Sequence, residues 1–398
     1  MPHTDRTRQS IAASMITGHV PETAPIAAIA RDRSTVVPDE IGRLRRTRVA
    51  YWTGWLSPEM EGCSKEVFAL KDHFLRSRLY GLSRYYAVRS SRRERYVGLN
   101  VRLYPLLRLL APVLERSIDL HHIYGGLREW FFLRALQRRP VVLTVATGEI
   151  PFERHVYRHV RQFVVHASST AKILVAHGFA PDRIRVIYPG IDLEQFRPRP
   201  REAAAPGAWP PGDPARFRVL FATTPNGLEG VETRGINLLM QAAHRLPDVD
   251  FFLPWRPWAG ADRLVEICRQ QAPANVHMST ALQPNMTQLF QATDATIAPF
   301  LRTTDTKICP TSLIESLACG RPLLVSTKVG LADLVQEEAC GQVFEPSVDG
   351  LCHAIDALRG GYRQHASNAR ACAERHFDLR LCLQQHEQLY DEVLRSSC

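Results

Sequence analysis

From Arg48 onward, short apolar runs alternate with stretches whose apolar residues recur every three or four positions. Runs such as PVVLTVATGE (140–149), FVVHASS (163–169) and IRVIYPGI (184–191) predict strands buried on both faces. A strand is also expected near Arg48, another over 118–126 and a short one over 86–89. Between them, helices are predicted over 65–78, 101–117, 127–139 and TAKILVAHG (170–178). Pro105 and Pro112 must sit at a start or a kink of the second of these.

A second alternating series follows. Its expected strands are 217–224, 249–255, 275–280, 295–300, 322–327 and 341–346, with helices over 235–246, 264–271, 286–293, 312–320 and 351–359. RPRPREAAAPGAWPPGDPAR (197–216) is too rich in proline for regular structure and reads as a linker or surface loop. Strands separated by helices predict parallel sheets covered on both faces. The expected organisation is a flexible leader (1–43), a first α/β domain (44–196), the linker, a second α/β domain (217–365), and C-terminal helices (366–398) that cross back to the first domain. Ligands are expected between the domains, at the carboxyl ends of the strands.

At 398 residues the chain exceeds what one core usually supports, which agrees with two domains. The formal charge of +10 suits an anionic partner. No zinc-finger spacing or long lysine block occurs, so nucleic acid is not the expected partner. The nine cysteines are odd in number and show no CxxC pair, which argues for buried thiols in a reducing cytoplasm. His19, Pro21, Glu22 and Pro25 interrupt the mildly apolar residues 12–30, against a secretory signal, and no window is apolar enough to span a bilayer.

TKICPTSLIESLACGRPLLVS (306–326) carries the candidate chemistry. Pro310 fits a helix entry, with Thr311 or Ser312 as its cap. Leu313, Ile314, Leu317 and Ala318 supply its apolar face, and Glu315 is expected in its first turn. The exposed N–H groups of such a helix start can hold a diphosphate, with Lys307 or Arg302 beside it. A carboxylate there would face sugar hydroxyls. On spacing alone, an equal alternative is that Glu315 merely stabilises its own helix start.

This stretch resembles the donor-site segment of family 4 glycosyltransferases with the GT-B fold. IRVIYPGIDLEQFRP (184–198), RGINLLMQAAHRLPDVDFFL (234–253), SLIESLACGRPLLVSTKVGLADLV (312–335) and GQVFEPSVDGLCHAIDAL (341–358) are similar to that family's successive pieces, in order and spacing. The resemblance implies two Rossmann-like domains facing each other across a cleft. It implies a retaining, metal-independent transferase moving a sugar from a nucleotide-diphosphate sugar to an acceptor hydroxyl. It also implies roles: Glu315 at the nucleotide ribose, the backbone of Ser312 and Leu313 at the phosphates, and Arg234 in place of the family's phosphate-binding lysine. The chain departs from the family pattern at Lys307, where a glutamate is usual, at Ala222 and Thr223, where Gly-Arg is usual, and at Ala146, where a histidine is usual. Lys307, Arg302 and Arg256 are the expected substitute cations.

Gly62 is the candidate glycine that brings backbone close to the ligand, a plain turn being the alternative. Glu149, after a buried strand, is the candidate for accepting a proton from an acceptor hydroxyl or orienting it. Of His121 and His122, adjacent on a strand, at most one is expected to face the cleft. His155 and His159, four apart on an expected helix, lack a third ligand and read as a solvated face rather than a metal site. RSRLYGLSRYYAVRSSRRERY (76–96), followed by the amphipathic 101–117, suits peripheral contact with an anionic membrane, an RNA surface, or simply a solvated edge. No cofactor is expected beyond the donor substrate. The competing readings are a non-catalytic nucleotide-binding protein, or a sugar phosphorylase or nucleotide-sugar epimerase on the same fold.

Overall fold

A computed structural model describes residues 47–54, 62–83, 89–91, 96–100, 102, 104–125, 136, 138–146, 157–201, 215–257, 260–281, 283, 285–303 and 306–396. The expected leader, most of the expected linker and nearly all of the expected helix over 127–139 lie outside these residues.

The first sheet contains β1 (Val49–Thr53), β2 (Arg78–Ser83), β3 (Arg89–Ser91), β4 (Tyr96–Asn100), β5 (Leu120–Gly125), β6 (Val141–Val145), β7 (Val160–Val165) and β8 (Ile184–Val186). Their spatial order is β3-β4-β2-β1-β5-β6-β7-β8, parallel except for the antiparallel pair β3 and β4. Helices α1 (Gly62–His73), α2 (Tyr104–Leu114) and α3 (Ser168–Ala176) connect them. Every residue of β1 and of β6 is buried, so their apolar runs are continuous rather than alternating.

The second sheet contains β9 (Phe217–Leu220), β10 (Val249–Pro254), β11 (Val276–Ser279), β12 (Ala295–Ala298), β13 (Leu323–Ser326) and β14 (Gly341–Phe344), all parallel, in the order β11-β10-β9-β12-β13-β14. Its helices are α4 (Gly227–Thr233), α5 (Ile236–Arg245), α6 (Ala261–Arg269), α7 (Met286–Gln291), α8 (Thr311–Ala318), α9 (Ala332–Glu337) and α10 (Val348–Gly360). The two Rossmann-like domains face each other across a cleft.

Two helices close the chain. α11 (Tyr362–His376) lies on the second domain, where Arg370 donates to the carbonyls of Ala318 at 2.8 Å and Phe196 at 2.9 Å. α12 (Leu379–Arg395) packs on the first domain, with Leu389, Tyr390 and Val393 against Val49, Tyr51 and Leu120. Between them the chain pairs with Ile191. Ile191 N–H donates to Phe377 at 2.8 Å, and Leu379 N–H donates to the Ile191 carbonyl at 3.0 Å. A Cβ on Gly190 would stand 2.7 Å from Leu379 Cα, so this crossing needs a residue without a side chain.

Three local expectations change. The arginine-rich 76–96 is not a surface segment throughout: it supplies β2, where Leu79 and Tyr80 are buried and Tyr80 stacks on Trp52 with ring centroids 4.4 Å apart. The short strand expected at 86–89 begins at Arg89, and 86–88 lie outside the described residues. His159 lies in a turn leading into β7, not on a helix, while His155 lies outside the described residues. In α2, Pro105 occupies the second position and Pro112 the last turn.

His121 and His122 are both fully buried. Trp52 Nε1–H donates to His121 Nδ1 at 3.1 Å, and His121 Nε2 faces Glu115 at 3.3 Å. His122 Nε2 lies 2.7 Å from Thr144 Oγ1, with Tyr390 at its other nitrogen. These contacts make both histidines part of the core polar network, and neither reaches the cleft.

Candidate active site between two helix starts

α8 enters from Pro310, whose extended backbone (φ −62°, ψ 127°) occupies the cap position. No side chain caps this helix, so Thr311 and Ser312 do not play the capping role expected of them. Proline cannot cap by side chain, and it fixes the first helical residue at Thr311. Leu313 N–H already donates to the Pro310 carbonyl at 3.0 Å, so it does not stand free for the phosphate role expected of it; a start of this kind leaves the N–H groups before it for another acceptor. Glu315 consequently falls in the second turn rather than the first. It is buried, as are Leu313 and Ser316 beside it.

The partner of Glu315 comes from the other domain. Lys65 Nζ, on α1, donates to Glu315 Oε1 at 2.8 Å. The lysine side chain is 46% exposed and the carboxylate 5%. Burial pushes the Glu315 carboxyl above its ordinary range, opposed by Lys65, Arg256 and Lys307. Lys65 is in hydrogen-bond contact with the carboxylate, and Arg256 and Lys307 act on it through space.

Arg256 follows β10 and is anchored by its own amide, which donates to Thr224 Oγ1 at 2.8 Å. Lys307 is half-buried and precedes Ile308, whose side chain joins the first domain's core with Trp52 and Leu143. Ile308 N–H also donates to the carbonyl of Ala146 at 3.4 Å. The loop that carries Lys307 thus rests on the first domain. Further cross-domain bonds join Ser169 Oγ to the Gly330 carbonyl at 3.1 Å and Lys172 to Asp333 at 3.0 Å.

The remaining candidates divide. Arg234 is half-buried at the end of α4, in a turn held by Leu301 N–H donating to the Thr233 carbonyl at 2.9 Å. Gly235 next to it has φ +69°, and a Cβ there would overlap the Pro299 carbonyl at 1.9 Å. Arg302 is exposed and pairs at 3.5 Å with the exposed Glu232, so it does not join the cations around Glu315. A long side chain on an exposed loop follows its nearest opposite charge. Gly62 is the first residue of α1, three positions before Lys65, rather than part of a free loop. Glu149 lies outside the described residues. Trp255 Nε1 and Thr223 Oγ1, beyond the ends of β10 and β9, are buried without a hydrogen-bond partner. Among the described residues no three His, Cys, Asp or Glu side chains are grouped to hold a metal ion.

Sequence reasoning missed Lys65. One signal was available: α1 has no acidic residue in its first turn, and a lysine there opposes the helix dipole. A cation placed against that field implies an anion elsewhere to receive it.

Glycosyltransferase Family 4 matches residues 61–195, and Glycosyl transferases group 1 matches residues 229–359. The D-inositol 3-phosphate glycosyltransferase of Mycobacterium sp. (strain KMS) is 26% identical over 230 residues, 56% of this chain and 49% of that protein. Its counterpart in Mycolicibacterium paratuberculosis is 28% identical over 227 residues, 55% of this chain and 48% of that protein. The chain spans about half the length of the curated relatives it matches. Among solved structures, the HepE protein of Anabaena in complex with UDP and glucose superposes with a TM-score of 0.68 at 15% identity, covering 87% of this chain and 99% of that one. A glycosyltransferase of Rickettsia africae gives 0.66 at 14% identity, with 87% and 99% covered. These structural likenesses concern the fold. They show the GT-B fold, and along the sequence a match to Glycosyltransferase Family 4 is followed by one to Glycosyl transferases group 1.

Proposed function

We propose that the protein transfers a sugar, with retention, from a nucleotide-diphosphate sugar to an acceptor hydroxyl. The observation that carries this reading is Glu315 hydrogen-bonded to Lys65, with Arg256 and Lys307 acting on it through space, near the start of α8, which no side chain caps. The carboxylate suits ribose hydroxyls, and the cations with the helix N–H groups suit a diphosphate. Relatives of the same fold that hold UDP and glucose support a nucleotide-sugar donor. As the donor's sugar–oxygen bond breaks, charge grows on the diphosphate, and preorganised cations favour that state over the ground state. The acceptor oxygen forms its bond to the same face of the sugar, and its proton passes to a phosphate oxygen. No protein base is then required, which accommodates Ala146 at the position where a histidine is usual. A thermal-shift panel of nucleoside diphosphates and nucleotide sugars tests the donor site. Product analysis with and without inorganic phosphate separates transfer from phosphorolysis. Stabilisation by no nucleotide at all would remove this reading.

A second observation bears on where the acceptor lies. α2 buries Leu107 and Ala111, yet Leu106, Leu109, Leu110 and Val113 are exposed, Leu109 by 76% and Val113 by 60%. The outward set repeats at i, i+3, i+4 and i+7, a second apolar face on one helix. Arg102, Arg108 and Arg116 are exposed beside it. Leucines flanked by arginines suit an anionic bilayer surface, so the acceptor of this reading sits on or near a membrane. Among the described residues no helix is long and apolar enough to cross one. Cosedimentation with phosphatidylglycerol vesicles at low salt tests this contact, and absence of binding would remove it.

A further inference from the structure

We infer that Lys65 is a positioning residue of the donor site, through which the first domain holds Glu315 ready for the nucleotide. The inference rests on the glycosyl-transfer reading and adds a residue to it.

Lys65 stands three positions after the start of α1, and the next residue fixes where it points. Glu66 is buried, with Tyr124 O–H donating to it at 3.1 Å and His166 Nε2 at 3.4 Å from its other oxygen. Successive helix residues point about 100° apart. Anchoring Glu66 in the first domain's core therefore turns Lys65 to the rim, where it meets a carboxylate 250 residues further along the chain at 2.8 Å. The lysine opposes the dipole of its own helix, so nothing local to α1 favours it there.

Glu315 must stay ionised to accept hydroxyl hydrogens from a ribose, and its burial works against that. The groups that face it are Lys65 from α1, Arg256 from the end of β10 and Lys307 from the loop before α8; Cys319 lies one turn along its own helix. Arg256 and Lys307 belong to the second domain, although the loop carrying Lys307 rests on the first through Ile308. Lys65 is contributed by the first domain itself and is in hydrogen-bond contact with Glu315.

The experiment measures binding of ADP, GDP, UDP and CDP by calorimetry across about pH 5 to 8, above the ordinary carboxyl range, because burial raises Glu315. Wild type, Lys65→Met, Lys65→Arg, Glu315→Gln and the Lys65→Met/Glu315→Gln double variant are compared, each with its melting temperature. Protonating Glu315 weakens binding, so wild-type affinity falls on the acid side. Without Lys65 that carboxyl rises further, and the acid limb is expected to move to higher pH, with a severalfold loss of affinity on the acid side. Arginine restores the limb, and Lys65→Met has no further effect once Glu315 is Gln. Wild-type and Lys65→Met profiles that superpose overturn the inference while leaving the transferase reading intact. Wild type that binds none of the four diphosphates overturns both.

Discussion

Ile308 N–H donates to the carbonyl of Ala146 at 3.4 Å, and through this contact the donor-domain loop closes over the end of a first-domain strand. Ala146 is 3% exposed, and the Ile308 side chain packs into the first domain's core. The small residue leaves room for the loop that carries Lys307. Ala146→His, which restores the family's usual residue, is expected to push that loop away, lowering both melting temperature and turnover. Ile308→Ala should cost about 2–5 kcal/mol, the range for truncating a buried isoleucine. Thermal denaturation with an activity assay checks both; a gain of turnover in Ala146→His would mean the loop yields freely.

Lys307 is the cation expected to counter the departing diphosphate and Arg302 an expected binding residue beside it, and their surroundings separate them. Lys307→Ala removes a cation that acts on the Glu315 site and is expected to lower kcat by roughly a hundredfold, the scale of a lost transition-state donor of about 3 kcal/mol. Arg302→Ala cuts an exposed pair with Glu232 and should leave kcat and stability near wild type. Steady-state kinetics of the two variants side by side decide the assignment.

The outward face of α2 predicts a graded membrane response. Leu109→Glu and Val113→Glu place charge on exposed positions, so folding is expected to survive while vesicle binding falls. Raising the salt should weaken the wild-type interaction as the arginines are screened. Flotation with anionic and with zwitterionic vesicles, at low and high salt, reads both effects.

Acid should destabilise the first domain through its buried histidines. Burial holds the His121, His122 and His386 imidazoles below their ordinary range, His122 furthest. The unfolded chain binds protons at these sites near pH 6.5, where the folded protein does not. Their contribution is thus complete above that value and is lost as pH falls through it, by at most about 1.4 kcal/mol per pH unit for each histidine. Melting curves between about pH 7.5 and 5 should show the decline, and His386→Gln should flatten it.

Gly190 tests the crossing of the C-terminal helices. Alanine there meets Leu379 Cα at 2.7 Å and Cys382 Cβ at 2.8 Å, so Gly190→Ala is expected to cost about 1–3 kcal/mol by overpacking. Calorimetry checks it. An unchanged melting temperature would show that α12 shifts without penalty.

Much of the architecture was legible because parallel strands buried on both faces must be written as continuous apolar runs, and 140–145 and 322–326 are such runs. β2 was not legible: arginines at 76, 78 and 84 surround only four residues, LYGL, of strand-like character. A local window weighs those charges before it can know that Tyr80 stacks on Trp52.

The two alternating domains and the proline-led helix that carries Glu315 could be read from the residue order alone. These follow from local rules: periodicity, caps, and the fixed geometry of proline and glycine. What surrounds Glu315 emerges from the folded arrangement instead. It selected Lys65 from a distant helix, turned Arg302 outward to Glu232, seated Lys307 beside the first domain, and buried both His121 and His122. Those outcomes depend on which charges and surfaces meet when two sheets face each other, and contacts between residues hundreds of positions apart leave no period in the chain.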